Sequence, residues 1–231
     1  MTAAKQLRDI GQAVNNALAN NGAQTLSEYN EANTLMLAWV RYLHQTQLTG
    51  KADYMLEGVG ALIRECAAYL SMGLVRAALF SMRGQIDLTL SWIYFKDHPI
   101  ELAKVESTGE GYMLVSDVLK YIREINPKFG PRFTVLDQVC KRKTKEPFRL
   151  LSGHVHGQSQ FVIPKVNTLD QVIQPANTCH EAVTLQQECS EYVSDILLAL
   201  NLDDWAAIPG EVKRDFDART VTAKQKAVLF S

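Results

Sequence analysis

The sequence predicts an all-α helical bundle, and three observations carry that prediction. Apolar residues recur at three- and four-residue spacing along nearly the whole chain, and alternating strand-like runs are scarce. Clear breakers, among them Thr49-Gly50, His98-Pro99 and the 126–131 run, separate the periodic stretches. With 231 residues, 47% hydrophobic and 21% charged, the chain falls in the ordinary soluble range. A chain of that length buries enough surface to need neither a disulfide nor a structural metal.

Taken in order, a first helix is expected over residues 3–19, ending at Asn20-Asn21-Gly22. A second runs over 27–48, started by Ser27 as N-cap and carrying Leu35, Trp39, Tyr42 and Leu43. Asp53 caps a third, with Leu56, Val59, Ile63, Cys66 and Leu70 on its apolar face; Gly58 and Gly60 within it read as close-packing positions. A fourth, over 74–95, ends at His98-Pro99 because the residue before proline resists the helical region. In its middle Arg83 and Asp87 lie four apart and can pair, which makes charge tolerable in a mostly buried helix. A polar loop with Gly109 and Gly111 leads to a fifth helix over 112–125, and a short sixth covers 133–140. Pro147 suits the first turn of a seventh, which runs to Gly157. The last long helix is introduced by Thr168 and Asp170, interrupted at Pro175, and resumes over 178–200. Residues 201–231 are more polar and read as a short helix with a loosely held tail. The organisation expected is N-terminal helices over 1–50, a bundle over 51–202 and an appendage over 203–231.

No stretch approaches about 18 uninterrupted apolar residues, and the first twenty have no apolar run of signal-peptide length, so no membrane association is expected. Cys66, Cys140, Cys179 and Cys189 form no C-x-x-C pair, which reads as reduced thiols in a cytoplasmic protein. Net charge is only −1, but it is unevenly placed. From Lys128 to Arg149 seven basic residues face only Asp137 and Glu146, so that stretch carries +5 and the rest of the chain −6. Lys141, Arg142, Lys143 and Lys145 are therefore candidates for a local anion-binding surface, against the alternative of a solvated loop.

The densest polar chemistry is PFRLLSGHVHGQSQFVIP, residues 147–164. On a helix, residues three and seven apart stand close to one face, which puts Arg149, Ser152 and His156 together; His154 points about 140° away from Arg149. A guanidinium offers planar donors to phosphate oxygens, and an imidazole moves protons near neutral pH. With RNA the substrate's own 2′-OH attacks the neighbouring phosphorus, so a base and a charge stabiliser suffice. A metal site is a poor fit, because the two imidazoles lie on opposite faces with no paired carboxylate. A Ser152–His156 acyl-transfer pair lacks both a nucleophile elbow and an acid partner. Neither phosphate-binding glycine motif is present.

Phe148-Arg149-x-Leu151-Ser152-x-x-Val155-His156-Gly157 resembles a signature found in helical proteins of the HEPN superfamily, which is marked by an arginine, four to six residues and a histidine. His154 and His156 both satisfy that spacing. The resemblance implies a late Arg–His pair in a four- or five-helix bundle that often meets its counterpart across a homodimer. It implies RNA cleavage without metal or other cofactor, frequently in toxin–antitoxin or antiphage systems with a partner protein. Carried over by position, Arg149 and His156 are the catalytic candidates, His154 is the rival histidine, Ser152 matches the narrower signature, and Arg83 with Asp87 stands for an upstream supporting acid. Leu150 departs from the polar residue that often follows the arginine in active members, which keeps a noncatalytic protein-interaction or assembly module as the alternative. The bland alternative is a buried polar cluster joining two helices.

Overall fold

The computed structural model describes residues 2–230, and among them there is no strand. The chain opens with α1 (Ala3–Ala17), which passes through a π-helical turn, Leu18–Gly22, directly into α2 (Ala23–Ala32). The expected stop at Asn20-Asn21-Gly22 does not occur. Gly22 is buried and keeps a right-handed φ of −56°, so the chain continues helical through this turn; a Cβ there would stand in ordinary contact, 3.5 Å, from the Ser71 carbonyl.

Ser27 lies inside α2, so the expected 27–48 helix is divided, and α3 (Thr34–Thr46) starts after Asn33. Asn33 is a buried polar corner whose amide is engaged at both its nitrogen and its oxygen. It donates to the Tyr29 carbonyl at 2.9 Å and accepts from Gln186 at 2.9 Å.

The third and fourth predicted helices are present as α4 (Tyr54–Ser71) and α5 (Val75–Phe95), a tightly packed antiparallel pair. Gly58 and Gly84 let them close in, since an added Cβ would stand 2.8 Å from Leu88 Cδ1 or Leu62 Cδ1 respectively. Asp53 stands at the N-cap of α4, but its carboxylate accepts from the Thr49 and Gly50 amides and the Trp92 indole instead of capping the helix. Gly73 turns the chain between α4 and α5 with φ +79°, the left-handed region glycine enters freely.

Residues expected to loop after Pro99 form a helix of their own, α6 (Pro99–Thr108), with proline in the first turn where its missing N–H costs nothing. α7 (Val115–Ile125) starts three residues later than expected. α8 (Phe129–Gln138) starts earlier than expected, since Pro131 sits in its first turn. α9 (Pro147–His156) and α10 (Ala176–Asn201) follow, joined by a loop with a 3₁₀ turn at Leu169–Val172.

α10 is the axis of the molecule: every residue from Glu188 to Ala199 is buried. Tyr29, Met36 and Trp39 of the N-terminal helices pack into the same core, and the Trp39 indole donates to Ser194 Oγ at 2.9 Å. The C-terminal segment is not a loose tail. A 3₁₀ turn, Leu202–Ala207, leads to α11 (Gly210–Asp217) and α12 (Ala223–Leu229), which bury Val212, Phe216 and Leu229. All four cysteines are free, and no helix among the described residues is long and apolar enough to cross a membrane.

Candidate functional site

Pro147 at the start and Gly157 just past the end, with φ +60°, confine α9 to ten residues. Leu151 is wholly buried and anchors the helix. Arg149 points outward with its side chain 80% exposed and is ion-paired to Glu146 at 3.2 Å. His156 is exposed at the last turn. The two lie seven positions apart, roughly 10 Å along the axis. Neither is sealed into a polar cluster, so the bland alternative does not describe them.

Ser152, between them, is taken up by packing. Arg83 of α5 donates Nε to Ser152 Oγ at 3.1 Å, lies 3.6 Å over the Phe148 ring, and pairs with Asp87. The i,i+4 pairing expected within α5 is therefore made, and it holds α9 through two residues of the signature. Burial pushes the Asp87 carboxyl up from its ordinary range, against the pull of the Arg83 charge.

His154 turns toward the body of the protein. It lines an open cavity of about 320 Å³ with Val75, Leu79, Leu150 and Leu185. Arg76, which sequence reasoning did not single out, donates to the carbonyls of His154 at 3.2 Å and Val162 at 3.0 Å, tying the end of α9 to the following loop. Burial, then the Arg76 charge, lowers the His154 pKa. A histidine held below its unfolded value keeps its full contribution above about pH 6.5, and loses it as pH falls toward the folded pKa, because the unfolded chain protonates first. His154→Gln is therefore expected to flatten the loss of stability between about pH 7 and pH 5; urea midpoints that fall equally in both proteins would remove the effect.

The basic stretch before α9 does not stand open to a phosphate, because it is folded against acidic residues of α10. Arg142 is 5% exposed; its guanidinium pairs with Asp195, contacts Asp137 at 2.7 Å, and donates Nε to the Lys145 carbonyl at 3.2 Å. Lys141 contacts Asp215 at 3.2 Å, and its amide donates to Glu191 at 2.7 Å. Lys145 donates to the Asp137 carbonyl at 2.5 Å and lies 3.1 Å from Cys140 Sγ. Lys143 alone of the four has an exposed residue position with only its amide engaged, by Glu188 at 3.0 Å. Arg219, from the segment after α11, completes the cluster with contacts to Asp195 at 2.6 Å and Asp215 at 2.7 Å. Burial pushes the Asp195 carboxyl up while Arg219 and Arg142 pull it down.

The anion surface expected from Lys141, Arg142 and Lys145 is thus largely neutralised within the chain. The signal for it was present: Glu188, Glu191 and Asp195, spaced three and four apart, share one face of a helix. Among the described residues no group of three His, Cys, Asp or Glu side chains is placed to hold a metal ion. Comparison of the chain with protein-family models, with curated proteins and with solved structures returned no match.

Proposed function

We propose that the chain is an RNA-cleaving protein of the HEPN type that works as a homodimer without metal, in a toxin or antiphage setting. The observation that carries this reading is that Arg149 and His156 both open to solvent on a short, firmly anchored helix, while Ser152 and Phe148 of the same signature are used to hold that helix in place. His156 is the proton-transfer group and Arg149 the charge stabiliser; His154, turned inward with its pKa lowered by burial and the Arg76 charge, helps position the end of α9.

Two turns of helix separate Arg149 from His156, a long reach for one scissile phosphate. A two-fold axis beside α9 brings the histidine of one subunit to the arginine of the other, and supplies a base and an acid on opposite sides of the phosphorus. The test is incubation of the purified protein with single-stranded RNA in excess chelator. Fragments ending in 2′,3′-cyclic phosphate are expected, and intact RNA at micromolar dimer would sink the reading.

One observation favours the noncatalytic alternative, an assembly module binding a partner protein. Phe161 is 88% exposed on the loop after α9, with Ile163 and Val166 exposed nearby. Exposed apolar residues grouped in this way suit a protein contact. They serve the dimer equally, and sedimentation of the Phe161→Ser variant beside the parent separates a self-contact from a contact with another protein.

A further inference from the structure

We infer that the groove beside Arg149 is a base-reading subsite for single-stranded RNA in which the Glu146 carboxylate selects guanine. This rests on the ribonuclease reading above, and adds to it which nucleotide is held next to the cleaved bond.

Two depressions, of about 260 and 310 Å³, share Leu119, Glu146 and Tyr192 and so run together between α7, α8 and α9. Joined, they reach the size of ordinary ligand pockets, about 300–1,000 Å³. Phe133 lines one and Phe148 the other, both half-buried, and the buried Tyr192 is shared; Phe129 covers one face of Phe133 and Arg83 one face of Phe148, so a base lies against what these leave open. Arg123 stands in the first depression and Arg149 in the second, which gives the backbone two cations to follow; Lys145, also in the first, is held by Asp137 beside it. Burial, then the Glu146 charge, pushes the Tyr192 phenol up to about 12, so its ring stays a neutral wall.

A carboxylate at the shared centre repels phosphate, so charge alone does not explain this groove. Glu146 suits a ligand that carries N–H donors. Among the bases, guanine presents two adjacent N–H donors, N1–H and the N2 amino group, on its Watson–Crick edge, matching the two oxygens of one carboxylate. Uracil presents one such donor, and adenine and cytosine one amino group each. In the free protein Glu146 is paired with Arg149 at 3.2 Å, with side chains 54% and 80% exposed. A pair that exposed contributes little. A guanine nucleotide replaces both halves together: the phosphate takes Arg149, and the base edge takes Glu146.

The experiment uses the full chain carrying His156→Ala, so that binding is read without cleavage. Fluorescein-labelled oligouridine decamers with one central guanine, inosine or adenine are titrated by anisotropy. Guanine is expected to bind about tenfold more tightly than inosine, which lacks only the N2 amino group, since one charge-assisted hydrogen bond is lost. In the Glu146→Gln background that ratio is expected to fall below about twofold. Equal binding of guanine and inosine with Glu146 present overturns the inference without any change at position 146, so a misfolded glutamine variant does not shelter it. A preference that survives Glu146→Gln overturns it too, as does failure of all three decamers to bind. Guanine-selective binding by a chain whose unsubstituted form cuts no RNA leaves the subsite standing and removes the ribonuclease reading; cleavage with no guanine preference does the reverse.

Discussion

Asp195→Asn is expected to lower the free energy of unfolding by about 3–5 kcal/mol, the cost of leaving a buried ion cluster without its central charge. Asp195 has no solvent exposure, and it faces the guanidiniums of Arg142 and Arg219, whose side chains are equally sealed. Both arginines hold their protons more tightly than usual because of Asp195, so removing its charge leaves two buried cations that cannot shed their protons to escape. Asp137, Asp215 and Glu191 remain in contact, but they are satellites on single arginines, whereas Asp195 bridges the two.

For a chain of this length each kcal/mol moves the melting temperature by about 2–4 °C, so a fall of roughly 6–20 °C is the readout. Replacing all three members together, as Asp195→Leu, Arg142→Met and Arg219→Met, is not expected to restore the loss, since the buried Glu191 then loses Arg219 and is left as an uncompensated charge. A single variant that melts within about 3 °C of the parent would show that water reaches the cluster. The cluster also fixes the loop that leads into α9, because the Lys141 and Lys143 amides hang from Glu191 and Glu188. Asp195→Asn is therefore expected to disturb the Arg149 site through its foundation and not through its chemistry.

The second large effect belongs to His156. His156→Ala is expected to reduce RNA cleavage by about 10²–10⁴-fold, the ordinary contribution of a positioned proton-transfer group. Stability is expected to change by no more than about 1 kcal/mol, because the residue is exposed and only its placement beside the C-terminal cap of α9 is at stake. His154→Ala provides the contrast, since that side chain is half-buried against α5 and α10 and its loss is felt in stability. Mixed dimers of Arg149→Ala and His156→Ala chains test the shared site: each retains one arginine and one histidine, so cleavage above that of either variant homodimer is expected, well below the parent because the second proton-transfer group is missing. Parental cleavage by the His156→Ala homodimer would move the proton-transfer role to His154. Absence of recovery in well-mixed heterodimers would leave each subunit working alone, or none working at all.

Much of this architecture was legible because it is local. Three- and four-residue spacing marked α4, α5 and α10 as helices; Pro147 and Gly157 delimited α9 almost to the residue; and the four-residue gap between Arg83 and Asp87 announced their pairing. The placement of Arg149 and His156 toward one side of α9 follows from the same arithmetic. Each of these depends on residues within about two helical turns of one another, a distance over which chain geometry leaves few choices.

What the sequence could not decide lies between residues far apart along the chain. Asn20-Asn21-Gly22 has the composition of a helix stop, yet the chain runs on, with Gly22 buried against the end of α4 and right-handed instead of turning left-handed. Asn33 bends the chain where no breaker was read, because Gln186, 153 positions on, satisfies its amide inside the core. The basic run is the clearest case. Counted along the chain it is a block of uncompensated charge, but Arg142 meets Asp195, 53 positions away, and Arg219 arrives from a segment that composition alone marked as tail. Composition thus determined an all-helical chain with an Arg–His pair on one short helix, while only the tertiary structure decided which charges remain for a ligand. A charge counted in sequence has no countercharge until folding brings one within a few ångströms, and the interaction that decides its availability falls off with that distance.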